Sequence, residues 1–109
     1  MTVQDLGNAL NANSAGYVFK HFGWSRNPEG DYGVYAEDSA SELDADGISG
    51  VEERIEGTID YFTRDDSGTP KTVIQGILKN LKIWWTLNDV QYEDDTGYIH
   101  YEWVFRFYG

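Results

Sequence analysis

From Lys82 to Tyr108 apolar and polar positions trade places along the chain. Ile99, Tyr101, Trp103, Phe105 and Phe107 fill five consecutive odd positions, and Tyr98, His100, Glu102, Val104, Arg106 and Tyr108 lie between them as a mixed set. A period of two with aromatic and β-branched enrichment predicts a half-buried strand. Ile83 to Tyr92 shares that composition with a less regular alternation. Between the two arms, Asp94-Asp95-Thr96-Gly97 is turn chemistry, since Asp bonds its own backbone and Gly accepts positive φ. The pattern predicts a closing hairpin.

Its register follows from what each pairing would bury. With Glu93 opposite Tyr98 across a four-residue loop, Tyr92, Val90 and Trp84 share the face of Ile99, Tyr101 and Phe107. A three-residue loop would instead put Glu93, Gln91 and Asp89 on that face. Unpaired buried polar groups cost about 1–3 kcal/mol each, so the four-residue loop is expected unless a bulge resets the alternation. Asn88 and Thr86 are then left on the inner face, in need of partners.

Upstream, Thr2 to Ala12 reads as a short helix with Thr2 as N-cap, Asp5 near the positive dipole end, and Val3, Leu6 and Leu10 as its apolar stripe. Gly7 weakens that helix by about 1 kcal/mol relative to Ala. Tyr17 to Phe22 and Asp31 to Glu37 read as strands, the second with Tyr32, Val34 and Ala36 on one face, and Ser25 to Gly30 as an exposed turn. Asp38 to Gly47 is acidic and aperiodic and is expected to be a loop holding at most a short strand near Glu42-Leu43. Glu52 to Thr63 alternates again, with Ile55, Gly57, Ile59 and Tyr61 against Arg54, Glu56, Thr58 and Asp60. Thr69-Pro70 looks like an N-cap followed by a first-turn proline. It opens a helix to about Leu81, with Val73, Ile74, Ile77, Leu78 and Leu81 on one side.

The expected order is α-β-β-β-α-β-β, an α+β fold in which an antiparallel sheet carries two short helices on one face. One domain, 1–109, accounts for the chain, and 109 residues with 40% hydrophobic and 16% aromatic content suffice for a core. There is no Cys, which removes disulfides, thiolate metal sites and a Cys nucleophile. No apolar run approaches the roughly 20 residues of a membrane helix and no signal-peptide pattern opens the chain, so a soluble protein made in the cytoplasm, with no membrane partner, is expected. The net charge of −11 disfavours tight contact with nucleic-acid phosphates.

Candidate chemistry is sparse. Asp44 and Asp46 have the opening spacing of a calcium loop, but Ile48, Ser49 and Ile55 stand where an EF-hand needs oxygen, glycine and glutamate. An irregular cation site from Asp38, Glu42, Asp44 and Asp46 competes with a solvated acidic loop, which is the expectation. His21 and His100 are read as surface residues. Asp65-Asp66 and Asp94-Asp95 could suggest paired glycosidase carboxylates, but both occupy turn positions. Trp84 and Trp85 must point to opposite sheet faces, so one of them, with Trp24, is free for an interface or for a ligand platform. Neither a phosphate loop nor a serine-nucleophile motif is present. The residues predict no catalytic site, no metal and no cofactor, and an interface drawn from Trp24, Trp84, Trp85, Asp38, Glu42, Asp44 and Asp46.

The whole pattern resembles the tail-completion (tail terminator, or head–tail joining) proteins of long-tailed bacteriophages and prophages. It is carried by Pro28-Glu29-Gly30-Asp31-Tyr32-Gly33-Val34-Tyr35, Leu43-Asp44-Ala45-Asp46, Ile55 to Thr63, the helix Thr72 to Leu81, Gln91-Tyr92-Glu93-Asp94 and Tyr101-Glu102-Trp103-Val104-Phe105. The resemblance implies a non-enzymatic virion protein, made in the host cytoplasm. It implies a ring, usually a hexamer, that ends the tail tube and joins it to the head connector, with DNA passing through unbound. The loop 38–50 and the turns 24–31 and 64–69 are then the candidate ring surfaces. The alternative is a small carbohydrate- or peptide-binding module using the tryptophans and the acidic loop.

Overall fold

A computed structural model describes residues 1–23, 30–42 and 53–108, with backbone only for residues 39–42 and for Glu53. Trp24, Asp44 and Asp46 lie outside the described residues. The elements are α1 (Val3–Asn11), β1 (Phe19–His21), β2 (Tyr32–Glu42), β3 (Glu53–Thr63), α2 (Thr69–Leu81), β4 (Trp84–Tyr92) and β5 (Ile99–Tyr108). The fold is α+β, in the expected order.

The five strands form one sheet in the order β1-β2-β3-β5-β4. It is mixed rather than wholly antiparallel, because β1 runs parallel to β2. Two asparagines explain how so short a strand docks. Asn11 holds Phe19 through both backbone groups, accepting from its N–H at 2.7 Å and donating to its carbonyl at 3.0 Å. Asn13 does the same for Tyr17, at 2.9 and 2.8 Å. These side chains replace the ladder that an antiparallel neighbour would have supplied.

Both helices pack on one sheet face. Leu6 and Leu10 of α1 and Ile74 and Leu78 of α2 are fully buried against Ile59, Tyr61, Tyr101, Trp103, Phe105 and Phe107. The Trp103 indole N–H, wholly buried, donates to Gln75 Oε1 at 3.1 Å and ties α2 to the sheet. Thr2 caps α1 with Asp5 in a reciprocal capping box, as the sequence predicts. The cap of α2 differs: Gly68 holds the N-cap position at φ 84°, and Thr69 is already the first helical residue. Gly7 is no mere weakness of α1, for a Cβ there would run into the Tyr35 ring and hydroxyl. It lets helix and sheet approach.

One strand expectation needs correction. Residues 38–42 belong to β2, which continues past a bulge at Asp38 and pairs with β3 as far as Glu42↔Glu53. Alternation fails there because the bulge breaks the period. Tyr32 and Val34 are buried on the face away from the helices, where Tyr32 stacks on Phe62 at 4.4 Å and meets the edge of Tyr98. This small second cluster covers one end of that face. Arg64 lies over the Tyr98 ring at 4.1 Å and donates to the Thr96 carbonyl at 3.0 Å, fixing the hairpin turn beside it.

Candidate functional site

The hairpin decides which side chains reach the surface. Glu93 N–H donates to the Tyr98 carbonyl at 2.8 Å, and Tyr92 pairs with Ile99 and Val90 with Tyr101, which is the four-residue loop. Between Leu87 and Asp89 the register shifts, and Asn88 is the extra residue. Below that bulge the faces exchange. Trp85 and Leu87 turn towards the helices, whereas Trp84 and Thr86 turn to the open face, opposite Arg106 and Val104. Trp84 therefore does not share the inner face with Phe107. The inner-face problem of Asn88 and Thr86 also disappears, since Asn88 Nδ2 donates to Glu102 Oε1 at 2.8 Å.

Trp84 is half exposed, and the Arg106 guanidinium lies 4.6 Å from its ring centroid. Arg106 Nε donates to Glu56 Oε1 at 2.7 Å, and Arg54 Nε lies 3.3 Å from the same oxygen without hydrogen-bond geometry. The pairings make one row across the open face, Ser39–Glu56–Arg106–Trp84. Ion pairs this exposed contribute only about 0–1 kcal/mol each, so the row positions Trp84 more than it stabilises the fold. Beside it opens a cavity of about 490 Å³ lined by Leu81, Lys82, Ile83, Trp84, Arg106 and Tyr108, completed by Met1 and Phe107. Its lining is mixed, mainly apolar, and includes two cations, Lys82 and Arg106, in a chain whose net charge is −11.

β4 is also the edge of the sheet. Eight of its nine residues pair with β5 on one side, Asn88 being the bulge, and Val90 and Tyr92, on the helix face, are exposed by half or more. A long edge with exposed apolar side chains is a template for pairing with another chain. At the opposite edge β1 covers β2 only from Gly33 to Tyr35. Trp84, Trp85, Asp38 and Glu42 thus fall on sheet strands. Asp38 is exposed at the β2 bulge, and Trp85 packs against the core.

A second group lies further along the open face. His100 Nε2 meets Asp60 Oδ1 at 2.7 Å, and its ring stacks on Phe62 at 4.1 Å. The hydrogen bond to Asp60 raises the His100 pKa above the usual histidine value against the opposing effect of burial, with Glu102 and Glu93 adding in the same direction. Asp60, His100 and Glu102 offer ligand atoms that all lie within 4.8 Å of one another, next to a cavity of about 200 Å³ lined by Val34, Asp60, Phe62, Glu93 and His100. One imidazole with two carboxylates is a donor set for a divalent cation of the zinc or manganese kind. Sequence reasoning placed no carboxylate beside His100 because Asp60 is 40 residues away. The available signal was Glu102, two positions on and hence on the same strand face.

The other acidic pairs are structural. Asp65 Oδ1 accepts from Ser67 N–H at 2.9 Å in an Asx turn, and Asp94 and Asp95 lie exposed in the hairpin turn. Among the described residues no helix is long and apolar enough to cross a membrane. No protein-family model matches the chain, and no curated protein matches it.

Proposed function

We propose that this chain is a non-enzymatic structural protein of a phage virion, which assembles with copies of itself into a ring on the end of the tail tube and joins that tube to the head connector. The observation that carries this reading is β4, a nine-residue edge strand whose exposed side chains include Trp84, Val90 and Tyr92. A monomer working alone would leave this edge and these apolar side chains in water, and assembly removes both from solvent. The acidic surface then suits a conduit that DNA crosses without being held.

The module alternative would use Trp84 as a stacking platform. Arg106 already lies against that ring, which takes up a face that a sugar would need. The ring reading is therefore preferred. Electron microscopy of virions produced without this protein tests it: tubes of uncontrolled, excessive length lacking heads are expected. Normal tails of normal length, joined to heads, would refute the proposal.

A further inference from the structure

The ring reading leaves open which surfaces meet, and on that reading the sheet itself supplies an answer. We propose that the β4 edge of each copy pairs, antiparallel, with the half of β2 that no described residue covers, residues 36–42, of the next copy, so that Lys82 and Trp84 meet the neighbour's Asp38.

Direction is the first argument. β2 and β4 run in opposite senses, since β2 is antiparallel to β3, β3 to β5 and β5 to β4. Copies related by rotation about an axis along the strands therefore present β4 to the next β2 in antiparallel orientation. This contact is heterologous, and it closes when the rotation divides a full turn.

Level is the second. Ala36, Thr58, Val104 and Thr86 form one row across the sheet, and Ser39, Glu56, Arg106 and Trp84 form another. The part of β2 beyond Tyr35, which β1 leaves uncovered, thus stands at the same height as the lower half of β4. Both edges, free among the described residues, meet without sliding one copy along the other.

Charge is the third. The lower end of β4 is preceded by Lys82, which lines the cavity together with Trp84, whereas Arg106 of β5 is already held by Glu56. Beyond its β1 partners β2 carries Asp38, exposed at the bulge, whereas Glu37 is already held by His21 of β1. A cation at one edge and an exposed carboxylate at the facing edge, Lys82 and Asp38, favour this pairing over others.

The absence of cysteine makes the test clean. Within one chain Ala36 and Thr86 are three strand spacings apart, about 14 Å, too far for a disulfide, whereas antiparallel neighbours fall within bonding range. The A36C/T86C variant, incubated with tail tubes lacking this protein and mildly oxidised, is expected to give a ladder of linked multimers ending in one closed species. Lys82→Glu should weaken association about tenfold, and adding Asp38→Lys to the same chain should recover most of it. Thermal melts of each variant confirm folding. Association that persists with no ladder and no response to Lys82→Glu would overturn the proposed contact while leaving the ring intact. Efficient linkage of T86C alone would show β4 pairing with β4 and would also overturn it. Absence of association by the wild-type chain, even with tubes present, would remove the ring reading itself.

Discussion

Asn88 gives its side-chain amide to the Glu102 carboxylate, 2.8 Å away, from the one position by which β4 exceeds the strand it pairs with. The bulge accommodates Asn88 as an extra residue, so that the hairpin keeps a four-residue turn at its tip and buries Trp85 and Leu87 at its base. Because Leu87 already faces Trp103 and Asp89 already faces Glu102, removing Asn88 leaves both faces as they are. Deletion of Asn88 is expected to preserve the fold at a cost of about 1 kcal/mol, the value of one hydrogen bond. Deletion of Thr86 is expected to be far worse, because absorbing the bulge would turn Leu87 outward and Asn88 towards Trp103, a loss of about 3 kcal/mol or more. Urea denaturation of both variants checks the contrast.

Gln75 and Trp103 provide a second. The indole N–H is fully buried and Gln75 is its partner. Gln75→Ala should cost about 1–3 kcal/mol, more than its position on a helix surface suggests, since a buried donor is left without an acceptor. A neutral result in chemical denaturation would show that another acceptor takes over.

Gly7 supplies a third, opposite in sign to what propensity says. Gly7→Ala gains up to about 1 kcal/mol of helix propensity but forces a methyl into the Tyr35 ring. Overpacking of this kind costs about 1–3 kcal/mol, so a net loss of stability is expected. Combining it with Tyr35→Val, which shortens the obstructing side chain, should make the Gly7→Ala change neutral or favourable. Melting temperatures of the two alanine variants against their glycine parents measure this.

His100 makes the fold sensitive to pH in a definite direction. Its pKa is raised in the folded state, chiefly by the hydrogen bond to Asp60. The stabilisation is therefore fully present below the unfolded value of about 6.5 and is lost as pH climbs through the folded pKa. The stability gap between wild type and His100→Gln should be widest near pH 5.5 to 6 and narrow on the alkaline side. Denaturation with a chelator present gives the gap, and the imidazole NMR signals should titrate with a midpoint above 6.5. A gap that grows with pH would contradict the assignment.

Much of the architecture was legible in the sequence because its signals are local. The five inward residues of β5, the capping box at Thr2 and the apolar stripe of α2 each depend on spacing within one element, and each is found. What escaped depends on partners distant in sequence. β1 is parallel because Asn11 and Asn13 hold the backbone ahead of it, and a side chain acting as a strand partner leaves no periodic trace. Asp38–Glu42 reads as loop because a bulge erases the alternation of a strand that continues. The two faces of Trp84 and Trp85 were predictable, but which of them faced outward was not, since one inserted residue at Asn88 reverses the answer. Asp60 and His100 meet only once β3 and β5 pair.

Assembly as proposed covers two sheet edges, β4 and the far half of β2. Backbone amide hydrogen exchange, compared between the free chain and the same chain within completed tails, measures that coverage residue by residue. Marked slowing confined to 84–88 and 36–42, with the central strands β3 and β5 slow in both states, is the predicted result. Exchange along β4 that is equally fast in the free and the assembled chain would contradict it.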